Sequence, residues 1–203
     1  MEAHHLFCAS EKDHLDIIKY LISIGANFES KNDKGYPPLL FGSRNGNFDI
    51  VKQLITIGAN KTEINCNGEN SLILSAAEGH LELVKYFISI GGNVETKDNK
   101  GRTPLISASA CSHLNVVKYL ISIGANKEAK DIHGRTPLIC SSRNGHLDVV
   151  KYLISSGADK IAYDLRGNDS YATSHENVRK FFCSIGLTAE ATFRRQVLEA
   201  FKK

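Results

Sequence analysis

The chain has 203 residues, 42% of them hydrophobic and 23% charged, with 25 Lys and Arg against 22 Asp and Glu. This balance suits a soluble globular core, and a net charge of +3 is too small by itself to indicate nucleic acid. The five cysteines (Cys8, Cys66, Cys111, Cys140 and Cys183) are odd in number, widely spaced and without a Cys-x-x-Cys pair. That excludes a disulfide framework or zinc cluster as a reading, and points to reduced thiols in an intracellular protein. No apolar run approaches the ~18 residues of a membrane span. The first ten residues lack the basic start and apolar stretch of a secretory signal. The expected setting is intracellular, cytoplasmic or nuclear.

Along the chain, one pattern recurs as ISIGAN at 22–27, ITIGAN at 55–60, ISIGGN at 88–93, ISIGAN at 121–126 and ISSGAD at 154–159. Each step is 33 residues. Gly35, Gly68, Gly101, Gly134 and Gly167 keep the same period. Two anchors with one period predict tandem structural repeats. Repeats are expected at about 2–34, 35–67, 68–100, 101–133 and 134–166, with a truncated sixth at 167–186.

The repeat at 101–133 shows the grammar. Asp98 to Gly101 reads as a tight turn. Thr103 stands where an N-cap belongs and Pro104 at the first helical position, which predicts a short helix over about 104–111. A second helix is predicted over about 114–123, with Leu114, Val117, Leu120 and Ile121 as its buried stripe and Gly124 as its stop. A first helix of about eight residues is below the ~12–15 needed for marginal stability alone. Each repeat must therefore stack on its neighbours.

Gly101-Arg102-Thr103-Pro104-Leu105, Gly134-Arg135-Thr136-Pro137-Leu138, the Gly79-His80-Leu81 and Gly145-His146-Leu147 corners and the Gly-Ala-Asn/Asp ends resemble ankyrin repeats over about residues 2–186. The resemblance implies an all-α ankyrin-repeat solenoid of helix-turn-helix repeats joined by hairpin-like β-turn loops. Departures include Glu2 as an abrupt start, His4-His5-Leu6 for Thr-Pro-Leu, Pro37 for Thr, Asn70 as a substitute cap, and Asp13 and Ser112 for the corner glycine. In 187–203, Phe193, Val197 and Phe201 with Leu198 predict an amphipathic helix that caps the stack or forms a weak homodimer contact.

The resemblance also assigns a recurring histidine, here His14, His80, His113 and His146, to structural turn hydrogen bonds. Lys19, Lys52, Lys85, Lys118 and Lys151 form a second column, preceded by an acidic or amide residue three positions earlier, and read as a solvated outer face. Tyr20, Tyr86, Tyr119 and Tyr152 follow as stacking residues. No nucleophile elbow, Walker loop or His-Glu-x-x-His motif occurs, so no catalytic residue, metal site or cofactor is assigned.

By resemblance, partners are held on the turn tips and the exposed side of the first helix. The candidate protein-binding residues are Arg44, Lys97, Lys100, Arg102, Lys130, Ile132, His133, Arg135, Arg143, Leu165 and Arg166. From Lys97 onward they predict a basic patch, with Ile132 and Leu165 as apolar anchors. The expected role is a non-enzymatic scaffold or adaptor that takes an acidic segment of another protein. A nucleic-acid module is the alternative, weakened because only Tyr36 and Tyr163 lie near the tips for base stacking. A regulatory fragment of a larger protein is a third reading.

Overall fold

The computed structural model describes residues 6, 9, 10 and 14–188. Most of the start of the first repeat, and residues 189–203 of the amphipathic segment expected at 187–203, lie outside the described residues. Ten α-helices are defined among these: α1 Leu15–Ser23, α2 Pro38–Asn45, α3 Phe48–Thr56, α4 Ser71–Ala77, α5 Leu81–Ser89, α6 Pro104–Ala110, α7 Leu114–Ser122, α8 Pro137–Arg143, α9 Leu147–Ser155 and α10 Glu176–Ser184. The fold is all-helical, with no sheet among the described residues. The chain divides into two compact units, 1–104 and 105–203.

In the first unit α1 packs on α3 and α2 on α4, so like helices stack on like. In the second unit α7 packs on α9 and α9 on α10. The second helices bury a stripe at i, i+1 and i+4: Ile50, Val51 and Leu54 in α3, and Val149, Val150 and Leu153 in α9. The first helices are buried almost all round, as Ser71–Ala76 and Pro137–Ser142 show, because they lie between neighbours. Full burial of each large side chain contributes about 1.5–3 kcal/mol, which short helices do not supply by backbone propensity.

The predicted caps form where their chemistry allows. Thr136 Oγ1 accepts from the Ile139 N–H at 3.3 Å and Asn70 Oδ1 from the Ile73 N–H at 3.0 Å. Pro37 has no side-chain acceptor, and α2 begins uncapped. Ser112 adopts φ 68°, matching the positive φ of the corner glycine Gly79 at 83°. A Cβ in that conformation costs about 1–2 kcal/mol.

Two columns make contacts between repeats. The His80 ring places Nε2 2.8 Å from the carbonyl oxygen of Arg44, and His146 Nε2 lies 2.8 Å from that of Ala110. The imidazole thus makes its structural hydrogen bond to the repeat before its own. Two exposed lysines of the lysine column also reach the next repeat. Lys118 Nζ lies 5.8 Å from the Tyr152 ring centroid and Lys151 Nζ 5.6 Å from that of Phe181. Each ammonium therefore rests over an aromatic ring of the next repeat.

The stretch after Gly167 departs from the preceding repeats. Residues 170–173 form turns where the other repeats have a first helix, after an isolated bridge between Tyr163 and Asp169. Arg179 then lies 5.8 Å from the Tyr171 ring centroid and donates to the Ser174 carbonyl at 3.2 Å.

Candidate functional site

The turn tips are built by one repeated cradle. In each, an Asp or Asn carbonyl-type oxygen accepts two backbone N–H groups, two and four residues ahead. Asn32 Oδ1 accepts from Lys34 and Tyr36, Asn65 from Asn67 and Glu69, and Asp98 from Lys100 and Arg102. Asp131 Oδ1 accepts from His133 and Arg135, and Asp164 from Arg166 and Asn168. Because this side chain turns inward, the two residues after it are forced outward. They are Asp33 and Lys34, Cys66 and Asn67, Asn99 and Lys100, Ile132 and His133, and Leu165 and Arg166, all exposed.

Neighbouring turns are tied through their backbones. The Cys66 N–H donates to the Lys34 carbonyl at 3.2 Å, Asn99 to Asn67 at 2.9 Å and Leu165 to His133 at 2.9 Å. The tips are therefore held at fixed spacing within each compact unit. An Asx-type acceptor and an inter-turn bond are both local devices, so the frame tolerates almost any side chain at the two outward positions.

The predicted residues divide between the two units. Arg44, Lys97, Lys100 and Arg102 belong to the first. Arg44 lines a cleft of about 480 Å³ with Tyr36, Cys66, Glu69 and Glu78, and its Nε is 3.4 Å from Glu78 Oε1. Lys97 and Lys100 are exposed. Arg102 is committed to acids: its Nε is 2.6 Å from Asp98 Oδ2 and its Nη2 is 3.0 Å from Glu69 Oε1.

In the second unit, His133, Arg135, Arg143, Leu165 and Arg166 line one cleft of about 520 Å³, together with Asp164, Asn168 and Thr173. Lys130 and Ile132 are exposed outside it, Ile132 at 55%. Arg135 is only partly available, since its Nη2 lies 2.7 Å from Asp131 Oδ2, a side chain with no exposure. Burial alone would lower the Arg135 pKa, but the Asp131 bonds outweigh it and hold the guanidinium charged more firmly than usual. Reading charge along the tips missed these inward acids. The four-residue spacing of Asp98 to Arg102 and of Asp131 to Arg135 carried the signal. Nothing in the sequence marked Thr173.

Asp164 is the acid of this cleft. Burial pushes its carboxyl up, but the N–H groups of Asn168 and Arg166 outweigh that and hold it below the ordinary aspartate value. Glu63 is also lowered, first by its hydrogen bond from Lys31, against burial. A lowered folded-state pKa contributes stability above the unfolded value of about 4, lost as pH falls through the folded value. Asn fills the same cradle role at positions 32 and 65. Asp164→Asn should therefore keep the turn and flatten the loss of Tm between about pH 5 and 3. Thermal melts across that window check it, and equal slopes for both chains would show that Asp164 does not contribute.

Among the described residues no three His, Cys, Asp or Glu side chains gather into a metal-holding group, and no helix is long and apolar enough to cross a membrane. A search of curated proteins finds no match. Family models do match. One for ankyrin repeats in three copies fits residues 39–131 and again 72–164, and one for ankyrin repeats in many copies fits residues 6–55. These matches cover the same stacked helix pairs and inward-capped turns described above, and the chain belongs to the ankyrin-repeat family.

Proposed function

We propose that the chain is a non-enzymatic scaffold that holds a partner protein along its turn tips and the exposed side of its first helices. Ankyrin repeats are in general protein-interaction modules, and the reading rests on one observation above others. The inward turn acceptor recurs in all five turns as Asn32, Asn65, Asp98, Asp131 and Asp164, while the outward pair beside it is different in each, with only Lys recurring in the same place, at 34 and 100. Folding fixes the frame and leaves the tips free to specify a ligand. In the second unit those tips offer a basic cleft beside Leu165, which supports an acidic partner segment steered by charge.

The test is affinity capture with the full chain. The double variant Ile132→Ser and Leu165→Ser should lose the captured protein. The double variant Lys118→Ser and Lys151→Ser, altered on the outer helices, should keep it. Loss with the outer variant and retention with the tip variant would reverse the assignment of the face, and capture of nothing by the unaltered chain would remove the scaffold reading.

A further inference from the structure

Resting on that scaffold reading, we infer that the cleft of the second unit receives an anionic group carried by the partner protein, a phosphate or a clustered carboxylate, with Arg143 and Arg166 as its counter-charges. Two arginines at equivalent positions of the chain have different surroundings. Arg44 and Arg143 are 99 residues apart, three periods, and both fall on the last turn of a first helix. Arg44 meets Glu78 in the following repeat at 3.4 Å. The sixth repeat is short by four residues, and His175 precedes its second helix as His80 precedes α5, so the position that corresponds to Glu78 beyond Arg143 is Thr173.

Thr173 lines the cleft and carries no charge. Its hydroxyl donates to the Asp169 carbonyl at 3.0 Å, within its own turn. The register that supplies an acid to Arg44 thus supplies none to Arg143, which is exposed at the cleft. Arg166 is the outward residue of the adjoining tip and is exposed as well. The carboxylate lining this cleft is Asp164, which is 8% exposed and has one oxygen accepting two backbone N–H groups. Arg135 is held by Asp131 and serves as a wall.

Two exposed guanidiniums therefore face a space that contains one inward-turned carboxylate. Guanidinium groups present paired donors that match carboxylate and phosphate oxygens. Leu165, 78% exposed at the lip, supplies apolar area that would keep water from a charge pair formed beside it. A single exposed leucine means little alone, but here it adjoins the unmatched charge. The occupant that fits is a peptide segment with an anionic side chain next to an apolar one.

Three fluorescein-labelled peptides test this by anisotropy with the full chain: a glutamate-rich peptide containing one leucine, a neutral peptide with one phosphoserine beside leucine, and a glutamine version lacking both charges. At least one anionic peptide should bind, with the glutamine version about tenfold weaker or more, and the tighter anionic form names the source of the charge. Arg143→Gln and Arg166→Gln should each weaken binding about tenfold. Lys118→Gln, which removes the same charge from the outer face, should leave it within about twofold. Equal loss with Lys118→Gln, or no preference over the glutamine peptide, would overturn the inference, since both mean undirected charge attraction. A single-stranded RNA probe that binds more tightly through the same two arginines would also overturn it. If the partner captured through the tips is retained by Arg143→Gln and Arg166→Gln together, the inference fails while the scaffold reading stands.

Discussion

Replacing Asp131 with Ala should destabilise the protein by about 3 kcal/mol, because one carboxylate holds both the turn and its arginine. Asp131 Oδ1 accepts from the N–H groups of His133 at 2.8 Å and Arg135 at 2.9 Å, while Oδ2 accepts from Arg135 Nε at 2.8 Å. The side chain has no exposure, so its loss leaves a partly buried guanidinium without its counter-charge. The cost of breaking such a pair far exceeds that of an exposed one. Removing Glu82, whose pair with Lys85 lies on the surface at 2.8 Å, should cost about 0.3 kcal/mol.

Asp131→Asn separates the two roles. The amide oxygen can keep the cradle, as Asn32 and Asn65 do in their own turns, while the charge on Arg135 loses its mate. Urea unfolding should therefore rank the native chain above Asp131→Asn and Asp131→Asn above Asp131→Ala. Equal losses for the two variants would assign the whole effect to the ion pair. A loss below about 1 kcal/mol for Ala would mean that the cradle does not hold the tip. The proposed binding face depends on the answer, because His133 and the Leu165 N–H that donates to its carbonyl are positioned by this turn.

The frame was legible in the sequence because it is made by local devices. A Thr-Pro pair, a corner glycine and an apolar stripe act within a few residues, and they repeat, so chance is excluded by the period alone. The same logic located the second helices to within a residue: Leu114–Ser122 against an expected 114–123. The candidate face was legible only in part. Which residues point outward follows from the turn, but which of them keep a usable charge does not. Arg102 and Arg135 read as equals of Arg143, yet each is bound to an inward Asp, and Arg102 also to Glu69 from the preceding repeat. That last contact, like the reach of His80 to Arg44, links residues a whole repeat apart and has no signature in a single repeat. The contrast between Arg44 and Arg143 likewise appears only when the acid one repeat further on is placed beside each.

Gly68→Ala should cost about 3 kcal/mol, and a second glycine in the same column shows why. Gly68 and Gly167 have φ of 75° and 79°, so an added Cβ meets the same backbone penalty at both, about 1–2 kcal/mol. Their surroundings differ. A Cβ at Gly68 would lie 2.8 Å from the backbone nitrogen of Asn99, whereas at Gly167 nothing lies within 4 Å. The Asn99 nitrogen cannot yield cheaply, because its N–H donates to the Asn67 carbonyl at 2.9 Å and ties the two turns together. Asn99 also donates from its side-chain amide to the Cys66 carbonyl at 3.0 Å. Pushing Asn99 away therefore loosens two bonds between neighbouring tips. Gly167→Ala should lose only the conformational part, about 1 kcal/mol. The difference between the two variants, measured by urea unfolding, isolates the contribution of turn-to-turn contact. Equal losses would mean that the tips are spaced by the helices beneath them alone. A larger loss at Gly68 would mean that the tips hold one another in register, so a ligand spanning two of them meets a surface already set at its working spacing.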